Sequence, residues 1–164
     1  LRNDRRALDP ATKSGNYLNN LLALAEAQAQ GATDCIMANA DGQMTEGSTS
    51  NLFARLQGVW CTPPLDAGIL AGVTRGLLLA FLSEAGKAVD ERNLTAADMQ
   101  QAEELFLSST LRDVAPVTHL DGRALHDGDP GPNTTILAKQ FREHCAVLSR
   151  ERYGPLWQAA LRGG

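Results

Sequence analysis

Two turn signals, Asn39-Ala40-Asp41-Gly42 and Gln57-Gly58, stand close together between short apolar runs. Short turns join antiparallel strands, whereas parallel strands need a long crossover, so this stretch has to double back on itself twice. The runs on either side are read as strands: Asp34 to Ala38, Gln43 to Glu46, Asn51 to Arg55 and Val59 to Thr62. Pro63-Pro64 then ends the ladder, because proline has no N–H to contribute to it. A hairpin-built sheet is the frame on which the rest must pack, and it leaves Glu46 near a strand end.

Helical periodicity flanks this frame. From Asn16 to Gln30 the residues Tyr17, Leu18, Leu21, Leu22, Leu24, Ala25 and Ala29 favour one face, and Gly31 follows as a stop. Gly72-Val73-Thr74 opens an apolar helix to about Ala85, closed by Gly86. Val89 to Arg92 is expected to be a short strand. Thr95 to Gln101 is expected to be a helix with Thr95 as N-cap and Asp98 in its first turn, and Glu104 to Ser108 a strand. Pro116 to Leu120 reads as a further strand before an Asp121-Gly122 turn, and Asp127 to Pro132 as a loop. A last helix begins near Asn133, with Ile136, Leu137, Phe141, Cys145 and Leu148 directed to the core. No internal repeat is visible, and the mixture predicts one α/β domain.

A length of 164 residues, 43% hydrophobic and 21% charged, is enough to bury a real core. The net charge of −4 supplies no footprint for nucleic acid or anionic lipid, and the cluster Arg2, Arg5, Arg6 is short. No apolar run approaches the ~20 residues of a membrane helix, and the N-terminus lacks a signal-peptide pattern, so a soluble, cytoplasmic protein is expected. Cys35, Cys61 and Cys145 have neither disulfide-framework nor zinc-ligand spacing; they are expected to be reduced and mostly buried, with no metal bound. The lack of a starting Met and the unpatterned opening LRNDRRALDP are read as a chain that begins in mid-protein.

Five segments follow one another in a telling order. They are Lys13-Ser14-Gly15-Asn16-Tyr17-Leu18, Glu46-Gly47-Ser48-Thr49-Ser50-Asn51-Leu52-Phe53, Pro63-Pro64-Leu65, Gly72-Val73-Thr74-Arg75 and Ser108-Ser109-Thr110. Together they resemble the signature of the class IV aminotransferases, pyridoxal-phosphate enzymes that include branched-chain aminotransferases, D-amino acid aminotransferases and aminodeoxychorismate lyases. The resemblance implies the large domain of fold type IV, a mixed α/β domain with a twisted, barrel-like sheet and packed helices. Residues 1–12 would be an interdomain linker and residues 13–164 the cofactor domain. The family's small N-terminal domain, which closes the site and adds a phosphate-binding arginine, would be missing, leaving this piece poorly active by itself. A homodimer is expected of the full-length protein.

Carried over by position, Lys13 resembles the lysine that holds pyridoxal 5′-phosphate covalently and moves the substrate proton. That work needs a neutral amine, so its surroundings must disfavour the charge. Glu46 matches the acid that pairs with the pyridine nitrogen, its alternative being a turn glutamate. Gly72, Val73 and Thr74 match the phosphate-binding helix N-terminus, where amides and dipole favour an anion; Thr74 could also cap that helix. Ser109 and Thr110 resemble a second phosphate-contacting pair, and Leu70 the apolar residue packed on the cofactor ring. Tyr17 resembles an active-site tyrosine, although its spacing from the lysine differs by one and a core role is equally open. Asn51 is expected to support the Glu46 turn, and Arg75 to form a structural ion pair.

One departure touches specificity. Where branched-chain enzymes commonly continue the second phosphate motif with two alanines, this chain has Leu111-Arg112. Both are candidate substrate-binding residues; Arg112 would either hold a substrate carboxylate or pair with Asp113 or Glu103. The implied reaction is amino-group transfer between an amino acid and an α-keto acid. Elimination of pyruvate, as in the lyases, and a non-catalytic binding domain that retains the fold are the alternatives.

Overall fold

A computed structural model describes residues 18–162. The expected hairpins form where the turn chemistry demands them. Strand β1 (Ile36–Ala38) pairs antiparallel with β2 (Met44–Gly47), and β3 (Asn51–Leu56) with β4 (Val59–Thr62). Between β3 and β4 the two-residue loop has Gln57 at φ +49° and Gly58 at φ +79°, the left-handed pair whose twist matches a tight hairpin. The β1–β2 turn is tied by Asn39, whose Oδ1 accepts from the backbone N–H of Asp41 and of Gln43, both at 3.0 Å.

Helix α1 (Leu18–Ala29) precedes the sheet, and α2 (Val73–Glu84) follows it after a 3-10 turn at Leu65–Ala67. Next come β5 (Val89–Glu91), α3 (Ala96–Gln101), β6 (Glu104–Ser109), β7 (Asp113–Val117), the small hairpin β8 (His119–Leu120) and β9 (Arg123–Ala124), and α4 (Pro132–Arg162). The expected cap of α3 is present in full: Thr95 Oγ1 accepts from Asp98 N while Asp98 Oδ2 accepts from Thr95 N.

Strand β3 is the axis of a seven-stranded sheet, with β6 along one edge and both β2 and β4 along the other; only β4–β5 is parallel. The sheet curls without closing. A single bridge, Met44 with Leu94, returns the segment after β5 to β2, so the barrel-like closure expected is met at one point and not by a continuous ladder.

Because side chains alternate along a strand, β3 feeds two cores. Leu52, Ala54 and Leu56 pack on one face with Leu94, Met99, Leu105, Leu107 and Leu125. Phe53 faces the other way and stacks on Phe106, centroids 4.6 Å apart, with Trp60 edge-on at 5.0 Å. Leu78 and Leu82 of α2 and Leu137 and Phe141 of α4 cover this aromatic face. At one end of it, buried Glu104 caps α4: Oε1 accepts from Asn133 N (3.0 Å) and Nδ2 (2.6 Å), and Oε2 from Thr134 N and Oγ1 (both 2.7 Å).

Four expectations need correction. The strand expected at Pro116 to Leu120 begins at Asp113 and stops at Val117; β7 pairs only with β6, and such an edge tolerates Pro116. In α4 the inward stripe is Leu137, Phe141 and Cys145, spaced by four, whereas Ile136 and Leu148 are exposed. In α1 the leucines Leu18, Leu21 and Leu22 are exposed and the small Ala23 is buried, because the helix docks through its slim face and through Asn20. Of the three free cysteines, only Cys61 is buried, Cys35 and Cys145 being half-buried. No helix among the described residues is long and apolar enough to cross a membrane.

Candidate active site

Register places the polar residues of the aromatic face in one row. Glu46 pairs with Asn51, and Asn51 with Ser108, so the three side chains stand side by side across β2, β3 and β6, beyond the Phe53–Phe106 stack. Glu46 is 7% exposed. Its Oε2 accepts from Leu70 N at 3.0 Å and from Asn51 Nδ2 at 3.3 Å, while Oε1 has no hydrogen-bond partner among the described residues. Burial pushes this carboxyl up to about 7, the bond from Leu70 offsetting only part of the effect.

Asn51 does the expected supporting work and more. Its amide also donates to Leu70 O at 2.8 Å, so both polar groups of the Leu70 backbone are held against the row. This draws the start of α2 close. A Cβ on Gly72 would collide with Asn51 Oδ1, so any larger residue would have to displace the Asn51 amide or the helix start.

Gly72 is the N-cap, in extended conformation and with no side chain capping the helix; the capping role open to Thr74 is therefore not realised. The first-turn N–H groups of α2 have no intrahelical acceptors, and the Thr74 hydroxyl, on a residue 7% exposed, has no hydrogen-bond partner among the described residues. Arg75 makes the structural ion pair expected of it: Nη2 donates to Pro63 O at 2.9 Å and to Glu91 Oε2 at 2.6 Å. An open, uncapped N-terminus held rigidly is suited to an anion.

Ser109 is half-buried and Thr110 exposed, at the start of the β6–β7 turn closed by the Ser109–Asp113 pair. Leu111 is 96% exposed. Arg112 pairs with neither Asp113 nor Glu103. Its Nη2 donates to Asp34 Oδ2 at 2.7 Å; Asp113 lies 3.9 Å from Arg142, and Glu103 is taken by Arg55. Glu46, Asn51, Leu70, Gly72 and Thr74 thus come together, with Ser109 to Arg112 on a neighbouring turn. Lys13 and Tyr17 lie outside the described residues.

Three residues near this site carried no role in the sequence reading. Asp34 stood only as a strand start, yet it gathers Arg112, Ser48 and Cys35 N. Ser50 and Ser108 bury hydroxyl oxygens that find no partner among the described residues, which is costly unless something else supplies one. A charged residue ahead of an apolar run was the available signal for Asp34; the two serines lie inside the motif segments, but nothing in their spacing assigned them a role.

A pyridoxal-type cofactor can be tested against this set. It needs an acceptor for a protonated ring nitrogen, and Glu46 offers a buried carboxyl oxygen with no competing donor among the described residues. It needs donors for a phosphate, and the α2 N-terminus with Thr74 offers them. The residues fit.

Such a carboxylate beside an open helix N-terminus, on a hairpin-built sheet, is suited to an anionic heterocyclic ligand. The chain belongs to the amino-transferase class IV family, whose model matches residues 1–120. It is 39% identical over 140 residues to a D-alanine aminotransferase of Listeria monocytogenes, covering 85% of this chain and 48% of that one. A branched-chain aminotransferase of Thermoproteus uzoniensis, solved with norvaline, superposes with a TM-score of 0.82 at 34% identity, covering 92% and 50% of the two chains. The branched-chain enzyme of Thermobaculum terrenum in its pyridoxal-phosphate form gives 0.81 at 32%, covering 87% and 47%. The chain spans about half the length of the curated relatives it matches.

Proposed function

We propose that this chain is the cofactor-binding part of a pyridoxal-phosphate aminotransferase that moves an amino group between an amino acid and an α-keto acid. The observation that carries the reading is Glu46: a buried carboxyl, fixed by Leu70 N and Asn51, with one oxygen left to accept a hydrogen bond. In water-filled surroundings a glutamate would ionise far more readily; here burial disfavours the charge near neutral pH and a cationic partner would restore it.

When bound, the cofactor would supply an electron sink for the charge left at the substrate Cα. Glu46 would keep the ring nitrogen protonated by accepting its N–H. The first-turn amides of α2, the Thr74 hydroxyl and the Ser109–Thr110 turn would hold the phosphate, with Val73 contributing its backbone N–H. Leu70 would pack on the ring, its backbone already fixed by Glu46 and Asn51. Lys13 would carry the covalent attachment and move the proton at Cα, and Tyr17 would serve as the active-site tyrosine. Leu111 and Arg112 flank the substrate side.

The assay uses the full-length protein loaded with pyridoxal phosphate and a panel of L- and D-amino acids, with and without an α-keto acid. Amino transfer that requires the keto acid is the expected result. Release of pyruvate from a chorismate-derived amine without an acceptor would make it a lyase, and no uptake of the cofactor would reduce it to a binding domain.

A further inference from the structure

Three segments distant in sequence meet at Ser48, two residues beyond Glu46. Ser48 N and Oγ donate to Asp34 Oδ1 at 3.2 and 2.7 Å, and Ser48 O accepts from Asn20 Nδ2 of α1 at 2.9 Å. The other oxygen of Asp34 takes the guanidinium of Arg112, which reaches across from the β6–β7 turn. Cys35 N adds a further bond to Asp34 Oδ1 at 2.9 Å. Asp34 is therefore a hub: its side chain is 12% exposed, and its hydrogen bonds among the described residues join the Glu46 turn, the backbone just before β1 and the Arg112 turn.

The β6–β7 turn needs such an anchor. Asp113, at its end, sits at φ +50°, a left-handed conformation uncommon outside glycine, though aspartate tolerates it better than most residues. Val114 beyond it is buried, and Arg112 before it is pinned to Asp34, so Asp113 is held from both sides while Leu111, one residue earlier, projects freely. With its charge matched by Asp34, Arg112 is poorly placed to serve as the dedicated ligand of a second carboxylate.

We propose that Arg112 is a positioning residue: through Asp34 and Ser48 it clamps the Ser109–Thr110 turn in register with the Glu46 turn, and so sets cofactor affinity without binding the substrate carboxylate. The inference rests on the cofactor reading above. It separates two roles that the residue type alone leaves mixed. The Arg112 side of the pair is 43% exposed, so removing it costs the fold little and loosening the turn should be felt mainly at the site.

The test measures the dissociation constant of pyridoxal phosphate, the thermal midpoint of the cofactor-free protein and the KM for the amino acid, in full-length wild type, Arg112→Ala, Arg112→Lys, Asp34→Asn and Arg112→Ala/Asp34→Asn. Arg112→Ala should weaken cofactor binding by about tenfold or more while moving the cofactor-free midpoint by no more than a few degrees. Arg112→Lys keeps the charge and should recover most of the affinity. The double variant should be no worse than Asp34→Asn, since both changes break one contact. Unchanged cofactor affinity in Arg112→Ala, additive losses in the double variant, or a rise confined to substrate KM would each overturn the clamp. A wild type that takes up no cofactor would instead overturn the parent reading.

Discussion

Replacing Glu46 by Gln should stabilise the cofactor-free protein at alkaline pH and leave it nearly unchanged in acid. In the folded chain this carboxyl titrates at about 7; in the unfolded chain it titrates near ~4.3. Below ~4.3 both states hold the proton and the group contributes no penalty. Above that the unfolded state releases it while the folded state does not, so stability falls as pH rises and levels off once the folded carboxyl has also ionised, above about 7. At ~1.4 kcal/mol for each tenfold, the interval corresponds to on the order of 4 kcal/mol. Gln can accept from Leu70 N and Asn51 Nδ2 as Glu46 does, but it never ionises. The assay is urea denaturation of both cofactor-free proteins at about pH 4 and about pH 8.5, compared by difference so that Asp34, Asp98 and Glu104 cancel. A difference that does not grow with pH would refute the reasoning. Turnover should move the opposite way, falling by ~10²-fold or more in the loaded enzyme, because the amide cannot balance a pyridinium charge.

Gly72→Ala should weaken pyridoxal phosphate binding by ~10-fold or more in a cofactor titration, since the new methyl must push Asn51 or the α2 N-terminus aside. Phe53→Ala should cost ~3–5 kcal/mol in chemical denaturation by emptying the space against Phe106, Leu78 and Phe141. Glu104→Ala should cost on the order of 3 kcal/mol, leaving the Asn133 and Thr134 donors buried without acceptors. Burial would raise the Glu104 carboxyl, but those donors outweigh it and hold it below the ordinary range. Its contribution is accordingly present above ~4.3 and lost as pH falls through the folded value, an acid-sensitivity that the variant should lack in a pH-denaturation series.

Turn chemistry was the most legible part of the fold. Gln57-Gly58, Asp121-Gly122 and the Thr95–Asp98 cap are local signals, decided by a few residues, and they form as read. Burial was less legible, because it depends on which neighbour arrives: the leucines of α1 look like a core stripe, yet Ala23 and Asn20 make the contact with the described body. The start of β7 was hidden by Pro116, which an edge strand accepts. In the site, the row of Glu46 and Asn51 followed from the motif, whereas the Asp34–Arg112 pair, 78 residues apart, could not be read from spacing at all. Long-range ion pairs depend on how the sheet curls, and that curl is a tertiary property.

The central claim, that this chain holds pyridoxal phosphate for amino transfer, is tested most directly by reducing the loaded full-length protein with borohydride and mapping the labelled peptide. The chain contains three lysines, Lys13, Lys87 and Lys139, so the outcome is sharp. A phosphopyridoxyl group on Lys13 is the predicted result; its reproducible appearance on Lys87 or Lys139, with Lys13 unmodified, would contradict the account.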